Sequence, residues 1–418
     1  MATFAPLKPI IPLGNLRLTD TDIAGGKAAN LGELIAAGFA VPGGFVVPAE
    51  VYLAAADGAG IREELRVITT EATTAGTEGL ATLAARARNL IRSTVIDEAT
   101  LEAIREALES LGPAVPVVVR SSATAEDTAE TSFAGMNASF TSVIGLEQVA
   151  ARVRDCWESL WGDRSVSYRA SQALDLEPAI AVVVQAMVDS DTSGVMFTVD
   201  PAHGDESVLV VEAAFGLGEV VVSGAVEPDT YLVDRSSLGP RQIRIGHKSY
   251  RLARGPEGDQ RQELGEEDAW RRVLTDQQIS EVAGVGVRIE EHYGCPQDIE
   301  FAYVGDNLHI LQSRPITTLA ADDRTGGDAV LHGLGVGTRA GVGRVRVLHS
   351  PKEGHLLQDG EVLVAEMTAP DWLPTLRRSA AIITDAGGST CHAAIVSREL
   401  GIPGVVGTRE ATKVLRDG

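Results

Sequence analysis

Cysteine is nearly absent: Cys156, Cys295 and Cys391 are the only three in 418 residues. So few thiols, so widely spaced, build neither a disulfide framework nor a zinc site, and they suit a reducing compartment. No apolar run reaches the roughly 18 residues that a membrane span needs, so no membrane partner is expected. The opening MATFAPLKPIIPLGN has no basic stretch followed by an apolar core. No signal peptide is therefore expected, and the expected location is the cytoplasm. Positive charge is scarce as well. With 36 Lys and Arg against 58 Asp and Glu the net charge is −22, which repels nucleic acid over most of the surface. The GxxxxGK[ST] spacing of a P-loop is missing, and there are no internal repeats or low-complexity tracts.

What is present reads as globular. Hydrophobic residues make up 44% and charged residues 22%, and the length suggests about two to four domains. On so acidic a chain a polyphosphate site must be local. It needs isolated Lys or Arg residues among glycines, and a few carboxylates to hold Mg²⁺. Residues 1–318 mix helix and strand patterns, Leu319–Asp328 (LAADDRTGGD) reads as a linker, and residues 329–418 read as a compact α/β unit. Apolar periodicity predicts helices at Lys27–Ala37, Glu78–Ile91 and Ala99–Leu111. It predicts strands at Val117–Arg120, Ala181–Val188, Val208–Ala213, Asp298–Tyr303 and Leu308–Gln312. In the last unit strands are expected near Gly343–Leu348, Val362–Ala365 and Ala380–Thr384. A helix follows near Thr390–Leu400, then a strand at Gly404–Val406.

Several segments place phosphate-binding residue types at element ends. In Ala24–Leu34 (AGGKAANLGEL), Gly25 and Gly26 permit close approach of backbone to a ligand, and Lys27 opens a helix whose exposed N–H groups attract anions. A plain glycine turn with a solvated lysine reads equally well. In VVVRSSATAEDTAETSFAGMNASF an apolar strand delivers Arg120, which can grip phosphate oxygens through two N–H groups. Ser132, Ala134 and Gly135 follow in a segment able to close over phosphates. The strand Ala181–Val188 carries Gln185 near its end, and a strand edge of this kind, flanked by Met187, can present backbone groups to a purine. Taken alone it is better read as a core strand. Glu212 ends another apolar run and can bind a ribose.

The segments QDIEFA and LQSRPITT make a stronger pair. Alternation puts Asp298 and Glu300 on one face of the first, and Gln312 and Arg314 on one face of the second. If the two pair as a hairpin, a carboxylate and an amide oxygen converge as ligands suited to Mg²⁺, with an arginine beside them to stabilise a transferring phosphoryl group. A solvated sheet face with a salt bridge is the plainer alternative. In TDAGGSTCHAAIVSRELGIPGVVG the glycines Gly387 and Gly388 bend the chain after a strand, and Ser389 or Thr390 can cap the next helix. His392 then lies in the first helical turn. There the helix dipole favours a negatively charged partner, and a neutral imidazole is a competent nucleophile towards phosphorus. A surface histidine is the competing reading.

Together these motifs resemble the phosphoenolpyruvate synthase and pyruvate phosphate dikinase family. GGKAANLGEL, VVVRSSATAEDT, SFAG, SGVMFTVDP, EPDTY, IEFA and LQSRPITT look like its nucleotide domain; TAPDW and GGSTCHAAIVSRELGIPGVVG look like its mobile domain. The match runs in the family's order over essentially the whole chain, and SxCHAA and PDW lean towards the synthase branch. The resemblance implies a multidomain α/β and α+β protein, with an ATP-grasp nucleotide-binding domain at 1–318 and a swivelling phosphohistidine domain at 329–418. It implies that Lys27, Arg120 and Arg314 hold the polyphosphate and that Ser132 and Gly135 cover it. Glu300 and Gln312 would hold Mg²⁺, Gln185, Met187 and Val188 would line the adenine pocket, and Glu212 would lie near the ribose. His392 would accept the terminal pyrophosphoryl group of ATP, releasing AMP, and pass one phosphate to an acceptor, pyruvate in the first instance.

The family's C-terminal barrel, which binds pyruvate and phosphoenolpyruvate, has no counterpart in these 418 residues. The chain is therefore expected to load His392 and to need a further domain or a partner chain for the acceptor. Phenylphosphate synthase and rifampin phosphotransferases, which resemble the same two modules, mark the alternative of a different acceptor. The His392 motif argues against a carboxylate-activating ligase, and the full set of polar groups argues against a non-catalytic relic.

Overall fold

In a computed structural model of the chain the described residues are 9–124, 138–171, 177–201, 204–255, 258–316, 330–336, 340–388 and 391–418. Ser132, Ala134, Gly135, the linker at 319–328, Ser389 and Thr390 lie outside them. Two compact units form, one of residues 1–188 with 256–258 and one of residues 189–255 with 259–418. Among the described residues no helix is long and apolar enough to cross a membrane.

The first unit is built on an antiparallel sheet of β1 (Ile11–Pro12), β2 (Gly44–Val47), β3 (Val117–Ala123), β4 (Ser139–Val143) and β5 (Ile180–Ala186), in the order β1-β2-β5-β3-β4. Helix α1 (Thr21–Ala36) covers one face. Helices α2 (Ala49–Gly58), α3 (Arg62–Ala72), α4 (Thr77–Arg92), α5 (Glu98–Leu111), α6 (Gly145–Ser159) and α7 (Asp163–Ser171) complete the unit, with a large core on the other face. That arrangement explains the unbroken apolar run of β5. Its Val182 and Val184 enter the large core, while Ala181 and Val183 enter the cluster under α1. This is the core strand that the segment taken alone suggests, because β5 is hydrogen-bonded to β2 on one side and β3 on the other. Its backbone is committed to the sheet. Gln185 is buried, and its side-chain amide donates to the Pro42 carbonyl at 3.2 Å.

The second unit contains a six-stranded antiparallel sheet. Its strands are β6 (Thr192–Phe197), β7 (Val208–Phe215), β8 (Asp229–Asp234), β9 (Pro240–Arg244), β12 (Gln297–Val304) and β13 (Asn307–Pro315), in the order β13-β12-β6-β7-β8-β9. A hairpin of β10 (Tyr250–Gly255) and β11 (Gly258–Glu263) and the short helices α8 (Glu219–Val222) and α9 (Glu266–Ala269) lie between these strands in sequence. Helix α10 (Asp276–Tyr293) packs on the back of the sheet. It opens with a reciprocal cap in which Gln278 N–H donates to Thr275 Oγ1 and Thr275 N–H donates to Gln278 Oε1.

The EPDTY segment owes its stability to a fully buried network. Lys248 Nζ bonds Asp229 Oδ1 and the Gly246 carbonyl, while Asp229 Oδ2 accepts from Tyr231 Oη at 2.9 Å and Val273 N at 2.8 Å. A buried ion pair persists only when its remaining hydrogen-bonding capacity is met in this way. The network ties the start of β8 to two loops and so fixes Glu227 just before it.

A third sheet, of order β14-β18-β17-β16-β15, joins β14 (Leu334–Val336), β15 (Val345–Val347), β16 (Val362–Ala365), β17 (Ala381–Thr384) and β18 (Gly404–Val406). The last four are mutually parallel and β14 runs antiparallel at one edge. Helices α11 (Leu373–Leu376), α12 (His392–Leu400) and α13 (Ala411–Val414) complete it. Ala393, Ala394 and Val396 of α12 pack with Leu363, Trp372, Leu376 and Ile382. The parallel strands, the helix and their order match the sequence expectation closely, because each short β-branched run here is bounded by glycine or a turn.

Candidate functional site

In the first unit the glycine pair before Lys27 gives a close backbone approach, to strand β3 of the protein itself. Gly25 has φ +75, and a Cβ there would lie 2.2 Å from the Ser122 carbonyl oxygen, so only glycine fits. The regular helix starts after it, and Ala28 N–H donates to Ser122 Oγ at 3.3 Å. Ser122 and Arg120 are two apart on β3 and share a face, so Arg120 projects on the α1 side, and Lys27 lies near the start of the regular helix. Both are half-buried. Met187 and Val188 follow the end of β5. Met187 N–H still donates to the Pro116 carbonyl at 2.9 Å, and its sulfur lies 3.4 Å from Ser142 Oγ.

In the second unit β12 and β13 form the expected hairpin. Asp298 faces Arg314 and Glu300 faces Gln312, with an irregularity just beyond, between Glu300 and Phe301. Such an extra residue re-aims neighbouring side chains and is common beside active sites. The register then carries one row across the sheet: Gln312, Glu300, Val195, Glu212, Thr230 and Arg244. Side chains in one such row share a face, so Glu212 joins the Glu300–Gln312 face although it is distant in sequence. Arg314 donates from Nε and Nη2 to Asp298 Oδ2 at 2.9 and 2.8 Å. Burial pushes the Asp298 carboxyl above its ordinary pKa, and the Arg314 charge opposes this.

The histidine loop lies on the same face. Gly388 is so close to the sheet that a Cβ would fall 2.6 Å from Glu212 Oε1. A cavity of about 140 Å³ remains, lined by Glu212, Glu227, Thr230, Gln242, Arg244 and Gly388 among others. His392 is the first residue of α12 and is half-buried. The structure corrects the capping expectation: the N-cap is Cys391, in an extended conformation and without a side-chain cap bond. Burial drives the Cys391 thiol up to about 11, so it is held as the thiol and is no competing nucleophile. His392 Nδ1 lies 3.2 Å from Oγ1 of buried Thr368. Later on the helix, the Arg398 guanidinium carbon lies 6.0 Å from the centre of the Phe197 ring, beside Asp298 and Glu212. Burial pulls its pKa down and Asp298 pulls it back up.

A family model described as pyruvate phosphate dikinase, AMP/ATP-binding domain, matches residues 21–328, and one described as PEP-utilising enzyme, mobile domain, matches residues 357–418. The chain belongs to the phosphoenolpyruvate synthase and pyruvate phosphate dikinase family. Within that family it is 43% identical over 424 residues to a probable phosphoenolpyruvate synthase of Archaeoglobus fulgidus, covering 98% of this chain and 56% of that protein. To the phosphoenolpyruvate synthase of Pyrococcus furiosus it is 41% identical, covering 96% and 56%. To that of Deinococcus radiodurans it is 39% identical, covering 98% and 55%. The chain thus spans just over half the length of these relatives. Among solved structures, a Pyrococcus horikoshii protein is 13% identical with a TM-score of 0.29, covering 53% of this chain and 81% of that one. That score is too low to show a shared fold.

For this member of the phosphoenolpyruvate synthase and pyruvate phosphate dikinase family, the sequence expectation named Glu212, Glu300, Gln312, Arg314 and His392 in the second unit. All but His392 belong to one face of one sheet, and the loop that carries the histidine packs on it. Sequence reasoning missed Thr368, Arg398, Glu227, Arg244 and Arg409. TAPDW and EPDTY pointed to the first and third as family-like segments, but no local pattern assigns Thr368 to a histidine or Glu227 to an arginine beyond β18.

Proposed function

We propose that this chain is the ATP-dependent histidine-loading part of a phosphotransferase, and that its ATP-grasp domain phosphorylates His392 on a swivelling domain. The observation that carries this reading is the seating of the His392 loop on the sheet face that bears Glu212, Glu300, Gln312 and Arg314. By the family resemblance, Lys27 and Arg120 are the residues for phosphate oxygens, and Gln185, Met187 and Val188 those for the base. Arg314 stabilises negative charge on the group in transfer. Glu300 and Gln312 fit Mg²⁺, since they offer hard oxygens on paired positions. So few protein ligands suit an ion that keeps waters and binds nucleotide phosphates. When bound, the ion neutralises charge on the polyphosphate.

The reacting atom is His392 Nε2. In the nucleophilic tautomer Nδ1–H donates to Thr368 Oγ1, which leaves the lone pair on Nε2. That lone pair attacks the β-phosphorus, the bond from this phosphorus to the α,β-bridging oxygen breaks, and AMP leaves with the electron pair. The terminal phosphate is then cleaved off to water, or to inorganic phosphate, leaving a phosphoryl group on Nε2. The N-terminus of α12 favours the added negative charge. Pyruvate is the acceptor we propose for the whole protein, by likeness to relatives named phosphoenolpyruvate synthase.

Incubation with ATP labelled at the β or at the γ position tests the reading. The β label should stay on the protein, the γ label should leave, and AMP should be the nucleotide product. Retention of γ label with release of ADP would sink it. Thr368→Val, which keeps the shape but loses the hydrogen bond, should slow β-label arrival about tenfold and shift its pH profile, without changing ATP affinity. That tenfold corresponds to about 1.4 kcal/mol, the usual worth of one such bond. An unchanged rate and profile would remove Thr368 from the mechanism.

A further inference from the structure

The turn between β18 and α13 contains a residue in an unfavourable conformation. Arg409 has φ +71, in the left-handed region that disfavours any residue with a Cβ. Its N–H donates to the Asp385 carbonyl at 2.8 Å, tying the turn to the loop that precedes His392. Glycine would occupy this place without strain, so what arginine adds here is its side chain.

That side chain reaches the six-stranded sheet. Nε and Nη2 of Arg409 donate to Glu227 Oε1 at 3.2 and 2.9 Å, and the guanidinium carbon lies 5.8 Å from the centre of the Trp270 ring. The same carboxylate oxygen accepts from Arg244 Nη2 at 2.8 Å, and that nitrogen also lies 3.4 Å from the Gly407 carbonyl oxygen. His247 N–H donates to Glu227 Oε2 at 3.4 Å, and the His247 ring stacks at a tilt on Trp270, 5.1 Å between centres. Burial pushes the Glu227 carboxyl up, but Arg409 and Arg244 outweigh it and hold the carboxyl below its ordinary value. One ionised carboxylate, fixed by the buried Asp229–Lys248 network, therefore receives a cation from the turn that follows the histidine helix.

We propose that Arg409 is a docking pin and Glu227 its socket. Together they register the segment carrying His392 on the sheet face during loading, so Arg409 is a positioning residue for a reaction it does not touch. This rests on the phosphohistidine reading given above. The backbone strain makes the pin separable from fold stability. Arg409→Gly removes the side chain and relieves the φ, so its melting temperature should equal or exceed that of the wild type. ATP affinity should be unchanged, while β-label arrival at His392 in a single turnover falls about tenfold. Glu227→Gln should slow loading by a similar factor. The double variant should be no more than about twofold slower than the slower single variant, because both lose the same contact. Arg409→Gly loading at the wild-type rate, or losses that multiply in the double variant, would overturn the pin while leaving histidine loading intact. A wild-type protein that takes no label would overturn the loading reading, and the pin with it.

Discussion

His392→Ala takes no β label from ATP and binds ATP as tightly as the wild type: that is the expected result with the largest effect. The wild type should carry about one label per chain, lost in acid and kept in base, as a phosphorus–nitrogen bond requires. Among the described residues near His392, the groups to weigh as replacements are Cys391 and Thr368. Cys391 is buried and its thiol is held protonated, with a pKa of about 11. Thr368 is buried too, and its hydroxyl lies against His392 itself. The substitution should leave the fold intact, since His392 occupies the first position of α12, where alanine is well tolerated. Circular dichroism and a melting curve check that point. Acid-labile label persisting at wild-type level in His392→Ala would assign the phosphate to another residue.

The second large effect is at Arg314. Arg314→Lys should lower the rate of histidine loading by about 10²–10³, with ATP affinity changed only a few-fold. The range is what removal of one fixed electrostatic donor from a transfer site usually costs. Lysine keeps the charge but not the fork. Arg314 meets Asp298 through two nitrogens, Nε and Nη2, at 2.9 and 2.8 Å, which fixes the plane of the guanidinium. Alanine would be a poorer probe, because it strands a buried carboxylate at a cost of about 3–5 kcal/mol. The partner measurement is Glu300→Gln, which faces Gln312 across the hairpin. It should raise the Mg²⁺ concentration needed for half-maximal loading and leave the rate at saturating Mg²⁺ closer to wild type. Single-turnover label transfer at varied ATP and Mg²⁺ separates the two effects. Wild-type kinetics in both variants would place the phosphate grip elsewhere.

The sequence by itself determined the local parts. The β-branched runs bounded by glycine became strands, as at Val362–Ala365 and Gly404–Val406, which were legible to the residue. Alternation put Asp298 with Glu300 and Gln312 with Arg314, and the short turn between the two runs made their pairing the simplest outcome. The GGK and GGST segments announced glycines with a local backbone task, and the folded chain shows what they approach, Ser122 and Glu212. Period and turn chemistry are local properties, carried by neighbours in the chain.

Only the tertiary structure decided which strand lies beside which. Period two says that Gln185 and Glu212 each belong to one face of a strand, but not what covers that face. β5 proved to be a central strand, with the Gln185 amide donating to the Pro42 carbonyl, whereas β7 brought Glu212 into the row of Glu300 and Gln312. The same holds for Glu227 and Arg409, and for Thr368 and His392. Antiparallel pairs between strands far apart in sequence, and the contacts of loops laid on them, depend on strand order and on burial summed over the whole sheet. No window of neighbouring residues contains that sum, so these partners emerge only when the chain is folded.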